Sequence, residues 1–137
     1  MADSVRRIEY YYVTVPDEPG AAARTLAPLK ESGVNLLVYL AFPTGNGQAQ
    51  IDLVPENPAA LKRAAGKAGL KLSATKRAFL IQGDDRPGAV AELSQKLADA
   101  KINITAASAV SAGAGRYGMI LWVLPAAYER ASRALGT

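Results

Sequence analysis

The residues with the most chemical potential in this chain sit in two acidic turns, Asp17-Glu18-Pro19-Gly20 and Asp84-Asp85-Arg86-Pro87-Gly88. Neighbouring carboxylates beside a guanidinium are the makings of an acid–base pair, with Asp84 or Asp85 carrying the proton and Arg86 as electrostatic partner. Such a pair needs a carboxyl whose pKa is raised by burial. A turn leading into a helix works against that, because the helix N-terminus favours the charged carboxylate. The other usual catalytic groups are missing, since the 137 residues include no cysteine and no histidine. Thiolate nucleophiles, disulfides and Cys-ligated metals are thereby excluded, and the commonest general base and transition-metal ligand is removed. What remains is a small carboxylate site, a Lys or Tyr site, or no catalysis at all. The composition favours the last, and no catalytic residue, metal or cofactor is expected.

Half the residues are apolar and a fifth are charged, the balance of a globular chain rather than a disordered one. Sixteen Lys and Arg against twelve Asp and Glu leave a net charge of +4. The excess is scattered over Arg6-Arg7, Lys62-Arg63-Lys67, Lys71-Lys76-Arg77 and Arg130-Arg133, as solvated faces would have it rather than a nucleic-acid footprint. No apolar stretch follows the arginines of MADSVRR, and runs such as 119–127 fall short of the ~20 residues of a membrane helix. A cytoplasmic protein without membrane or nucleic-acid partners is the expectation.

The acidic turns are parts of a repeat. Subtracting 68 carries Asp85, Pro87, Gly88 and Ala89 onto Asp17, Pro19, Gly20 and Ala21, and Leu97, Asn103, Gly113 and Gly115 onto Leu29, Asn35, Gly45 and Gly47. No insertion is needed, and proline, glycine and asparagine rarely coincide at one offset by chance. The chain therefore divides into residues 1–74 and 75–137.

Each copy must position its turn with the same elements. Strands over 8–15 and 78–83 run into the acidic turns, with Pro19 and Pro87 suited to the first position of a helix. Helices are predicted to about Ser32 and Ala100, the second with Val90, Leu93 and Leu97 on one face. Pro28 lies inside the first, where proline costs roughly 3 kcal/mol, so a kink or an early end is expected there. Strands over 34–42 and 102–111 lead to Gly-x-Gly hairpins and third strands. In copy one the third strand alternates, with Ala49, Ile51 and Leu53 toward the core and Gln48, Gln50 and Asp52 toward solvent. Copy two has Ile120 and Trp122 on the polar side, which places Trp122 under a helix or at an interface. The three tyrosines Tyr10-Tyr11-Tyr12 alternate across their strand and serve packing. Asn57-Pro58 opens a helix closed by Gly69, and Pro125 opens its counterpart. A fourth strand, 70–73, closes copy one, whereas Thr137 leaves no residues for it in copy two.

The unit is thus α+β, a ferredoxin-like βαββαβ repeated twice in tandem, with antiparallel sheets, helices on one face and the second copy lacking its last strand. The strand around 79–83 is left as an open edge, which invites another chain or an exchange between the copies.

An acidic residue-x-Pro-Gly turn after a strand, then a helix, then Gly/Lys-Val/Ile-Asn-Leu/Ile, resembles the ACT domain. The matching strings are Asp17-Glu18-Pro19-Gly20 with Gly33-Val34-Asn35-Leu36, and Asp85-Arg86-Pro87-Gly88 with Lys101-Ile102-Asn103-Ile104. The resemblance covers nearly the whole chain as a tandem pair. It implies a regulatory module without catalysis, binding an amino acid or similar small ligand between ACT units and acting through a separate metabolic enzyme or regulator, as a homodimer. Carried over residue by residue, the ligand-binding set is Asp17, Glu18, Pro19, Gly20 and Asn35, with Asp84, Asp85, Arg86, Pro87, Gly88 and Asn103. Helix N-termini suit a carboxylate, Gly20 and Gly88 let a ligand reach the backbone, and the Asp and Asn side chains match an ammonium. Glu18 opposite Arg86 would make two such sites differ in charge, a carboxylate being favoured beside Arg86.

Other readings use the same residues. Asp17 and Asp85 can cap their helices, and Asn35 and Asn103 can hold the helix-to-strand turn. A small enzyme would rest on Asp84, Asp85 and Arg86. A nucleic-acid module would need aromatic-rich central strands, and QAQIDLV and RYGMILWV are not that.

Overall fold

The computed structural model describes residues 3–137. The chain runs β1 (Ser4–Pro16), α1 (Ala21–Glu31), β2 (Leu36–Gly45), β3 (Gln48–Pro55), α2 (Pro58–Ala68), β4 (Lys76–Asp84), α3 (Ala89–Asp99), β5 (Ala106–Gly113), β6 (Arg116–Trp122) and α4 (Tyr128–Leu135), with a single 3-10 turn over Pro125–Ala127. The two α+β units cut the chain differently from the repeat. The first is Glu9–Lys76, and the second joins Arg77–Thr137 to the described residues up to Ile8.

In the first unit the strand order is β2-β3-β1, antiparallel, with Tyr11 opposite Leu53 and Pro16 opposite Gln48. Tyr11, Val13, Leu29, Ile51, Leu53 and Leu61 form its core. The expected fourth strand at 70–73 is not a regular strand. Ser73 takes its place beside β1, its N–H donating to the Tyr12 carbonyl (2.9 Å) and its Oγ accepting from the Tyr12 N–H (3.0 Å). A side chain thus does part of what a strand backbone would do. On the outward side of β3 Gln48 is exposed as the alternation predicts, but the residues further along are not. Asp52 is buried with the Gln50 amide donating to it at 2.8 Å, and burial pushes its carboxyl up.

In the second unit the order is β1-β4-β6-β5. The side of β4 expected to lie open is taken by the start of β1. Arg7 holds it in place through Glu129 (2.5 Å) and the ring of Tyr128, 5.0 Å from its centroid. Tyr128 is itself anchored, stacked on Phe79 with centroids 4.5 Å apart and donating its hydroxyl to the Ala78 carbonyl at 2.8 Å. Ile81, Leu93, Leu97, Met119 and Leu121 complete this core. Leu80 and Ile120, on the sheet side away from those residues, are also buried, and Trp122 is half-buried.

Helix starts and ends follow local chemistry, with two departures from expectation. Asn57 caps α2 by accepting from the Ala60 N–H (3.2 Å), and Gly69 ends it in the left-handed region. Pro28 does not end α1 early, for α1 stops at Glu31, the counterpart of Asp99 where α3 stops. Its missing hydrogen bond is tolerated within a helix held by Leu29 in the core. Pro19 and Pro87 are not helical. They precede Gly20 (φ +87°) and Gly88 (φ +84°), the N-cap residues, and the Ala21 and Ala89 N–H groups each reach back to the Glu18 and Arg86 carbonyls at 3.3 Å. Proline followed by a glycine at positive φ is a type II turn, and only past that glycine can helical geometry begin.

No helix among the described residues is long and apolar enough to cross a membrane.

The hairpins show one mismatch between copies. Asn46 and Ala114 both sit at φ +54°, each followed by a glycine at +71°. Asparagine tolerates this conformation and alanine does not. Ala114→Asn is expected to stabilise the protein by roughly 0.5–1 kcal/mol, read from denaturant midpoints against wild type; no gain would mean the hairpin relaxes without strain.

Candidate functional site

The two acidic turns are built alike to within a tenth of an ångström. The Asp17 N–H donates to the Gly47 carbonyl and the Asp85 N–H to the Gly115 carbonyl, both at 2.8 Å. Past the helices, the Val34 N–H reaches the Leu29 carbonyl and the Ile102 N–H the Leu97 carbonyl, both at 2.9 Å. Each turn is therefore stapled to the hairpin at one end of its unit, and the N-cap glycine offers no side chain to the first helical amides.

Neither aspartate caps its helix. Asp17 is exposed, and Asp85 accepts from the Ser111 hydroxyl at 2.9 Å. Asp84 accepts from Arg116 at 2.7 Å. Held by donors and open to water, Asp84 and Asp85 lack the desolvated setting that a general acid requires. Pro19, Gly20, Pro87 and Gly88 are exposed, and the space around Gly88 is open while Arg24 folds over Gly20.

Asn35 and Asn103 lie elsewhere. Both follow the C-terminal end of their helices, across the length of the helix from the acidic turns. The Asn35 amide donates to Glu56 (3.2 Å), whose N–H donates to the Asn35 carbonyl at 2.9 Å. Asn103 is exposed ahead of β5. Within one unit, then, the structure brings the acidic-turn residues together and leaves the asparagine at the other end.

The ion pairs of the turns reverse polarity between copies. Glu18 pairs with Arg24 at 2.8 Å, and at the positions 68 further on Arg86 pairs with Glu92 at 2.7 Å. The first pair is exposed and has no further ion-pair partner among the described residues. Arg86 has further partners: Asp3 at 3.1 and 3.4 Å and the Asp84 carbonyl at 3.1 Å. Its guanidinium therefore already faces two carboxylates of its own chain, a circumstance the turn motif gave no sign of.

Asp3 is the residue that sequence reading missed. Its side chain is 10% exposed and lies against Gly83, where a Cβ would collide with the carboxylate. The Arg86 guanidinium holds the Asp3 carboxyl below the usual carboxylate range. The Tyr117 hydroxyl is buried beside it without a well-formed hydrogen bond among the described residues, and burial, followed by its close approach to the Asp3 carboxylate, pushes it up to about 12. Only the odd placement of a glycine, Gly83, inside an apolar strand pointed to a close approach. No cluster of acidic residues that could hold a metal ion occurs among the described residues.

The model of the ACT domain family matches residues 78–135, inside the second unit. No curated protein matches the chain in sequence. Among solved structures the chain is similar to a protein from Bacteroides thetaiotaomicron, with a TM-score of 0.82 at 11% identity over 96% of this chain and 88% of that one. It is similar to the regulatory subunit of aspartate kinase from Thermus thermophilus in its ligand-free form, with a TM-score of 0.61 at 20% identity over 97% and 93%. The regulatory subunit of aspartate kinase from Thermus flavus gives 0.59 at 21% identity over 98% and 93%. At such identities the likeness is one of fold.

The Asp3–Arg86 contact carries a pH signature. A carboxyl lowered in the folded state adds stability above its ordinary value of 3.8 and loses it as pH falls through the folded value. Asp3→Asn should lower the melting temperature at pH 7, with the gap to wild type closing below about pH 4. A gap that stays constant down to pH 2 would show that the charge on Asp3 contributes nothing.

Proposed function

We propose, from the match of residues 78–135 to the ACT domain model, that the protein is a regulatory module without catalysis of its own. It binds an amino acid or similar small ligand at its acidic turns and acts through a separate metabolic enzyme or regulator. Glu9–Lys76 is the second ACT-type unit of this module. The observation that carries the reading is the turn built twice to the same dimensions, each with an exposed Pro-Gly, a left-handed N-cap glycine and a helix start that no side chain caps. Backbone amides at such a start suit a carboxylate, and Asp17 or Asp85 suits an ammonium. The fold shared with regulatory subunits of aspartate kinase supports a metabolic enzyme as partner.

Self-association belongs to the same reading. β5 ends the order of its sheet, all eight of its residues are exposed, and it carries neither a charge nor a proline. Val110 is 67% exposed. The equivalent edge, β2, carries Pro43 and two register irregularities, devices that blunt an edge. A second copy pairing antiparallel along β5 gives the dimer. Because the chain has no cysteine, single substitutions Ala107→Cys, Ser108→Cys, Ala109→Cys and Val110→Cys test this directly. One of the four should cross-link under mild oxidation and Ala41→Cys in β2 should not, since paired Cα atoms sit about 4.5–5.5 Å apart. A wild-type chain that sediments as a monomer at every soluble concentration would overturn the dimer.

The ligand reading is tested by thermal melts against the standard amino acids. A true ligand at 100 times its Kd adds about 2.7 kcal/mol of stability, and Asp17→Ala with Asp85→Ala should remove that gain. Melts unmoved by every amino acid would remove the ground for this function.

A further inference from the structure

We infer that the notch formed by Gly83, Arg86 and Tyr117 is a carboxylate-binding site that the chain closes with its own Asp3. The notch exists because residue 83 has no side chain. A methyl group there would collide with the Asp3 carboxylate and crowd the Tyr117 ring at 3.0 Å. The counterpart of Gly83 in the first copy is Val15, half-buried against the first core, so the first turn has no such notch.

The donors facing the notch are those a carboxylate calls for. Two guanidinium nitrogens of Arg86 reach the two oxygens of Asp3, the planar fork matching the carboxylate in both geometry and charge. The Tyr117 hydroxyl stands buried at the same place, close to the Asp3 carboxylate and without a well-formed hydrogen bond among the described residues. Glu92 holds the Arg86 fork from the other side at 2.7 Å. In the first copy the reversed pair of Glu18 and Arg24 is exposed and has no third member among the described residues.

Asp3 is an occupant that can leave. It precedes the first residue of β1, at the strand end where local opening costs least. A free carboxylate competes with Asp3 for the same donors, and when it wins, the start of β1 loses its tie to Arg86. The competing carboxylate of an amino acid would link ligand entry to release of the strand that covers β4. That last step rests on the regulatory reading; the notch itself does not.

The test is chemical rescue with acetate as the probe. The Asp3→Gly chain, melted at pH 7 and fixed ionic strength, should gain stability from sodium acetate in a saturable way and nothing from sodium chloride. Wild type should respond far more weakly, because acetate must first displace Asp3, and Asp3→Gly combined with Arg86→Gln should lose the response. Acetate acting equally on wild type and Asp3→Gly, or equally with and without Arg86, would overturn the site. Asp3→Ser, which keeps a polar residue ahead of the strand, serves for the same comparison if Asp3→Gly folds poorly. Amino-acid melts on wild type report the regulatory function and acetate melts on Asp3→Gly report the notch, so either can fail alone.

Discussion

A β-strand with an empty side leaves a row of backbone N–H and C=O groups without partners, and a sheet buried on its faces cannot leave such a side to chance. β4 has β6 along one side and would present such a row along the other. The start of β1 answers it. Much else in the second unit depends on that placement. Arg7 comes to Tyr128 and Glu129, Asp3 comes to Arg86, and residue 83 must be glycine for the Asp3 side chain to fit. The strand that begins in the second unit continues into the first, where Tyr11 and Val13 enter the other core.

Two copies of one plan show which features the plan requires and which are free to vary. The type II turn, the left-handed N-cap glycine and the staple from hairpin to turn recur with the same geometry. They are backbone devices, and the residues that encode them, proline and glycine, are retained in both copies. Side chains at the same positions have diverged in charge and size. The Glu18–Arg24 pair becomes Arg86–Glu92, Val15 becomes Gly83, and Pro43 in a blunted edge becomes Ser111, hydrogen-bonded to Asp85 in an unblunted one. A shared backbone thus carries ion pairs of opposite polarity at corresponding positions.

The element plan was legible in the sequence wherever periodicity and turn chemistry agreed. Asn57 and Gly69 bracket α2 as their types predict, and the Gly-x-Gly pairs mark both hairpins. Less legible were features decided by what lies across from a residue. Asp52 reads as a solvated position by alternation, yet it is buried. Pro19 and Pro87 read as helix starts, but the glycine that follows each sits at positive φ, which makes the pair a turn instead. Ser73 replaces a strand through its side chain, which no pattern of apolar residues signals.

By itself the sequence determined the repeat, the α+β class and the two acidic turns, because these follow from local preferences of Pro, Gly and Asn and from the spacing of apolar residues. Only the tertiary structure decided that the first strand serves the second unit, that Arg86 is engaged by Asp3, and that Asn35 and Asn103 lie away from the turns of their own units. Those outcomes depend on contacts between residues as far apart as Asp3 and Arg86, and local propensity carries no information about which distant partner will fill an empty edge.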